Sequence, residues 1–118
     1  MKGKMWIIIG LIVVFAMSCA SKDPSGFIAK TTAAYQGQDY SQALIYAAKH
    51  SPEYVKQITL KLAGNHNKSQ MCEMLSQAHK KISAEKSMYE DQGLVSELKT
   101  TKEARTRLMK LKFTYCNL

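Results

Sequence analysis

The sequence predicts an all-α protein: a small helical bundle of four to five helices whose C-terminal part folds back on itself as an antiparallel hairpin. Three observations carry this. From about residue 25 onward, apolar residues recur at three- and four-residue spacing, the period of a helix with one buried face. Cap residues (Asp39, Ser51, Asn67) precede the periodic stretches and glycines (Gly37, Gly64, Gly93) follow them, cutting the chain into helix-length pieces. The strict alternation of a half-buried strand is absent, and β-branched residues are sparse beyond the N-terminal segment.

The elements follow in order. Asp23 before Pro24 suits a helix start, because aspartate accepts from free amides and proline tolerates the first helical position. This first helix carries Phe27, Ile28 and Ala34 toward the core and stops at Gly37. Asp39 opens a second helix, with Gln42 placed to complete a capping box, and Tyr40, Ala43, Leu44, Ala47 and Ala48 form its apolar face. Ser51-Pro52-Glu53 repeats the start signal for a third helix presenting Val55, Ile58 and Leu62, which ends at Gly64.

A fourth helix begins at the cap Asn67, with Gln70 again three residues on. Its stripe is Met71, Leu75, Ala78, Ile82 and Tyr89, and the pairs Lys81/Glu85 and Lys86/Glu90 lie four apart on the solvent side. Asp91-Gln92-Gly93 reads as a turn. Leu94, Val95 and Leu98 restart the pattern, and Ala104, Leu108, Leu111 and Tyr115 carry it to the end. Thr100 with Glu103 offers a fresh cap, so residues 94–116 form one helix or two. A second stripe, Leu98, Met109, Phe113 and Cys116, lies beside the first, so this helix is either enclosed by several others or leaves one stripe for a partner.

The N-terminal segment is of a different kind. Lys2 and Lys4 form a positive leader, Trp6 to Phe15 an apolar core, and Ala16-Met17-Ser18 a small-residue exit, the three parts of an export signal. Phe15-Ala16-Met17-Ser18-Cys19 resembles the lipobox of bacterial lipoprotein precursors, in which a dedicated peptidase cuts before a cysteine diacylated through its sulfur. Ser18 and Ala20 fit that pattern, while Ala16 stands where such precursors prefer leucine. The resemblance implies residues 1–18 as signal peptide, 19–24 as acylated N-terminus and tether, and 25–118 as the helical domain. The alternative is an uncleaved anchor, since no charge intervenes between Lys4 and Lys22, a gap of roughly 25 Å as a helix. A stable span usually needs about 20 apolar residues, and Ser18, Ala20 and Ser21 are poor lipid-facing material.

With Cys19 consumed by lipid, as the resemblance implies, Cys72 and Cys116 remain as an even pair in an oxidising compartment. They stand at nearly equal distances either side of Gly93-Leu94, so a hairpin bent there brings the sulfurs level at its open end and a disulfide closes it. Two unpaired buried cysteines are the alternative. Metal binding, with His66 and His79 near Cys72, lacks any Cys-x-x-Cys or paired-histidine spacing. No metal and no other cofactor is expected.

The formal charge is +8, and removal of the leader takes only two lysines from it. A basic exported protein meets anionic headgroups or acidic protein surfaces rather than nucleic acid. The basic residues concentrate in Lys99, Lys102, Arg105, Arg107, Lys110 and Lys112, set against Glu103. On a helix, Lys99, Arg107 and Lys110 share one side and Arg105 and Lys112 another, so these six are possible anionic-surface contacts without forming one patch. A solvated face whose last-turn cations suit the helix dipole explains them equally.

No catalytic constellation stands out: there is no Gly-x-Ser-x-Gly elbow, phosphate-cradling glycine loop or His-Glu-x-x-His pair. Cys72 and His79 share a helical face, but seven residues of rise separate their backbones by about 10 Å. His50 and His66 are expected to be solvated. Tyr35 to Leu44 looks like the inter-helix turn of a tetratricopeptide repeat, but no second copy appears, so it implies only a helical hairpin. The expectation is a non-enzymatic, lipid-anchored binding or accessory factor for an envelope protein or assembly. The lipoprotein resemblance implies the periplasmic face of an outer membrane as its place, since Ala20 stands where an aspartate would signal inner-membrane retention in enteric bacteria. The alternative is a membrane-surface or anionic-lipid-binding protein using the basic C-terminal helix.

Overall fold

A computed structural model describes residues 25–116. The export signal, Cys19 and the tether lie outside the described residues. Five helices follow one another: α1 (Phe27–Gln36), α2 (Tyr40–His50), α3 (Pro52–Ala63), α4 (Lys68–Gln92) and α5 (Val95–Cys116). Among the described residues there is no strand. The last stretch is one helix, not two. Thr100 does not cap a fresh start, because its hydroxyl donates to the Ser96 carbonyl inside α5.

The starts follow the capping chemistry read from the sequence. The Ser51 hydroxyl accepts from the Tyr54 amide with Pro52 at the first helical position, and Asn67 and Gln70 close a full capping box. Asp39 makes the forward half, accepting from the Gln42 amide. α1 departs from expectation. It begins at Phe27 behind Gly26, which is left-handed at φ 74°, and the expected start at Asp23-Pro24 lies outside the described residues. Phe27 ties this start to the bundle, stacking on Tyr46 of α2 at 6.5 Å between ring centroids.

Two helix ends are Schellman motifs. At α4, the Gly93 amide donates to Glu90 and the Leu94 amide to Tyr89, with Gly93 left-handed at φ 69°. At α1 the same pattern runs from Gln38 to Tyr35 and from Asp39 to Ala34. There the left-handed residue is Gln38, at φ 63°, while Gly37 sits at φ −80°. The turn is one residue later than the glycine indicated.

α2 is the axis of the bundle, packing against each of the other four helices. Its composition explains that: Ala43, Ala47 and Ala48 let neighbouring backbones approach closely, while Leu44 and Ile45 fill the space between. Ile45 and Ser41 are buried although they lie off the stripe read from the sequence, because α2 has no solvent side over much of its length. Val55 and Leu62 of α3, Met71, Leu75, Ala78 and Ile82 of α4, and Ala104 and Leu108 of α5 complete the core. Phe27, Ile28 and Ala34 of α1 are only half-buried, and the buried residue of α1 is Thr31. Thr31 and Thr59 enter the core with their hydroxyls donating to the carbonyls of Phe27 and Val55, so no hydroxyl need is left open.

α4 and α5 pack along their lengths as an antiparallel hairpin. The Cys72–Cys116 disulfide closes its open end, with the Cα atoms 5.0 Å apart. Lys86 and Glu90 pair at 3.2 Å as the spacing predicts. Lys81 and Glu85 do not. Glu85 turns inward to Lys49 of α2 at 2.6 Å, and Lys81 donates to the Ser41 hydroxyl at 3.1 Å, because α2 crosses within reach of both.

Candidate functional site

The six basic residues of α5 separate into two sets. Arg107 lies at the edge of the buried face, and its Nη1 donates to the carbonyl of Ala48 at 2.7 Å, satisfying one of the orphan carbonyls at the end of α2. Arg105, at the other edge, donates through Nε to the Ser83 hydroxyl at 2.9 Å, and Ser83 in turn donates to the His79 carbonyl. Both guanidiniums are thus committed within the bundle. Lys99, Lys102 and Lys110 are exposed on the outer side and Lys112 is half-buried. The described structure does not gather the six into one face.

The three histidines are also apart. His66 is half-buried rather than solvated: its Nδ1 lies 2.8 Å from the Leu62 carbonyl at the end of α3, and its ring meets Tyr40 edge-on at 5.3 Å. His50 packs edge-on against Tyr54 at 5.2 Å, with Nδ1 3.2 Å from the Ser51 hydroxyl, so it is not simply solvated either. His79 on α4 has a buried, unpartnered Nε2. Burial first, then the charges of Arg105 and Lys112, hold its pKa below the usual 6.5. Among the described residues no group of three or more His, Cys, Asp or Glu is placed to hold a metal ion. Cys72 is taken up in the disulfide and does not meet His79 as a thiol.

At the turn between α4 and α5, side chains distant in sequence converge. Phe27 of α1, Tyr46 and Lys49 of α2 and Tyr89 of α4 form one cluster. The Lys49 ammonium sits 5.9 Å from the centroids of both Phe27 and Tyr89 while bound to Glu85, and the Lys30 ammonium is 5.6 Å from Phe27. An open cavity of ≈ 330 Å³ lies beside it, lined by Ser25, Phe27, Lys30, Lys49 and Tyr89 together with Ser96, Glu97, Thr100 and Thr101 of α5. Thr101 is fully buried, and its hydroxyl has no partner. This cluster is not foreshadowed by any local pattern, because Lys49 and Glu85 are 36 residues apart. The aromatic residues flanking each were the available signal.

The same end of the molecule carries exposed apolar side chains. Val95 is 78% exposed, Met88 43% and Leu94 37%. The Schellman turn joins the two helices here, so Leu94 and Val95 follow directly on the last turns of α4, where Met88 and Tyr89 lie. At the opposite end, Tyr115 and the disulfide sit beside Lys68, Ser69 and Glu73 around an open depression. Phe113, on the second apolar stripe of α5, is half exposed, whereas Leu98, Met109 and Cys116 of that stripe are half-buried. Comparison with protein-family models, with curated proteins and with solved structures finds no match to this chain. Among the described residues no helix is long and apolar enough to cross a membrane.

Proposed function

We propose that this chain is a lipid-anchored envelope protein, held through acyl chains on Cys19, whose helical body acts as a non-enzymatic binding or accessory factor for another envelope protein or assembly. The observation that carries the reading is the Cys72–Cys116 bridge. A disulfide persists where thiols are oxidised, outside the cytosol, which is where the leader ending at Cys19 directs the chain. Two independent parts of the sequence therefore agree on the compartment. The three acyl chains that the lipobox resemblance implies, two on the sulfur and one on the new N-terminus, would make attachment effectively permanent, each buried methylene adding about 0.8 kcal/mol. The work left to the body is then recognition, and the outer-membrane periplasmic face is the proposed site because Ala20 follows the cysteine.

The anionic-lipid alternative keeps less support, since Arg105 and Arg107 are engaged inside the bundle and Lys99, Lys102 and Lys110 remain outside. The deciding experiment is mass spectrometry of protein taken from membranes of a producing bacterium, with radiolabelled palmitate followed in parallel. The expected species starts at an acylated Cys19 and has no other free thiol. A full-length chain with three free thiols refutes the proposal. Site-specific cross-linking from exposed positions then separates the two readings: adducts to a protein support the binding factor, and lipid adducts alone support the alternative.

A further inference from the structure

The end of the bundle bearing the α4–α5 turn is also the end at which the chain arrives from Cys19. Ser25, the first described residue, lines the cavity beside the turn together with Tyr89, Ser96 and Glu97, and Phe27 shares the Lys49 ammonium with Tyr89. Ser25 lies six positions after Cys19, so even a fully extended tether spans only about 20 Å. If Cys19 carries the acyl chains, this end cannot leave the neighbourhood of the bilayer. Of the five large apolar side chains exposed among the described residues, three are here, Met88, Leu94 and Val95 within eight residues of chain, while Leu60 and Phe113 lie elsewhere. We infer that the hairpin tip, with Leu94 and Val95 foremost, is a membrane-contact site that seats in the bilayer carrying the Cys19 lipids.

Charge distinguishes this contact from a basic patch. Around the tip the carboxylates of Glu90, Asp91 and Glu97 are matched by the ammoniums of Lys86, Lys99 and Lys30, so nothing in the local balance selects anionic headgroups. Seating comes from apolar side chains entering the headgroup boundary, and it needs little affinity of its own because the anchor already confines the tip at high effective concentration. The consequence is orientation. From Cys72 to Gln92 α4 runs about 30 Å, so with the tip at the bilayer the disulfide end and Phe113 face away from it. A partner in the periplasm then meets the disulfide end.

This inference rests on the proposed acylation of Cys19, and the test separates the two. The chain holds a single tryptophan, Trp6, which leaves with the signal peptide, so Val95→Trp and Phe113→Trp each place one emitter in the mature protein. Both positions are at least half exposed, and the added ring displaces no core residue. The acylated full-length mature protein is reconstituted into phosphatidylethanolamine/phosphatidylcholine vesicles with lipids brominated near the headgroup end of the acyl chains. The expected result is loss of most of the Val95→Trp emission with a blue shift, against little loss for Phe113→Trp, and no change when salt is raised or anionic lipid added. Equal quenching of both, or quenching of neither, in protein whose N-terminal peptide has the triacylated mass overturns the tip contact and leaves the anchor standing. An N-terminal peptide without acyl chains overturns both.

Discussion

Cutting the Cys72–Cys116 bridge is predicted to remove close to half of the stability of the helical body. The linked residues are 44 apart in sequence, and the loop-closure relation gives a denatured-chain entropy loss equivalent to about 4 kcal/mol for such a loop. A body of this length has about 5 to 14 kcal/mol in total. The folded form loses little by comparison, because Ala104 and Leu108 are buried independently of the bridge, and only the last turns of α5, from Leu111 to Tyr115, depend on it for their place. The double variant Cys72→Ser/Cys116→Ser therefore folds but unfolds early. With an m-value of about 1.3 kcal/mol per molar, the midpoint of urea denaturation drops by about 3 M, and reducing the parent protein reproduces the drop. Both are read from the helical circular dichroism signal. A shift below about 0.5 M in the double variant would refute the reasoning, since it would mean that the denatured chain is no freer without the link.

Three further outcomes follow from the packing. Glu85→Gln leaves the Lys49 ammonium, 9% exposed, without its counter-charge and costs about 2 kcal/mol, whereas Glu90→Gln, at the solvent-side pair with Lys86, costs about 0.4 kcal/mol; denaturation of the two variants side by side distinguishes them. His79, whose folded pKa lies below its unfolded value of 6.5, binds fewer protons in the folded state, so its share of stability is present above pH 6.5 and is lost as pH falls below it. Melting temperature should decline from pH 7 to 5, and His79→Gln should flatten that decline; an unchanged slope would contradict the assignment. Gln38→Gly relieves a left-handed residue and stabilises by about 0.5 to 1 kcal/mol, while Gly37→Ala, whose new Cβ meets the Ala33 carbonyl at an ordinary 3.4 Å, is tolerated within about 0.5 kcal/mol; the reverse order of melting temperatures would place the turn at Gly37 after all.

What the sequence determined by itself was whatever rests on neighbours along the chain. Ser51 and Asn67 start helices because their side-chain oxygens reach amides three residues on, and Met71, Leu75, Ala78 and Ile82 fall on one face because a helix repeats every 3.6 residues. Even the bridge was legible, because two helices folded at Gly93 carry Cys72 and Cys116 to the same level. The tertiary structure decided what neighbours cannot. Ile45 is buried because α2 is enclosed, Glu85 leaves Lys81 for Lys49 because α2 passes beside α4, and Arg107 caps α2 from 59 residues away. It also brought Phe27 beside Tyr89, placing the arriving chain and the exposed hairpin tip at one end. Local energies of turns and caps are written in short windows of sequence, whereas the choice of partner for a charge or an aromatic ring is made only once packing has fixed which helices touch.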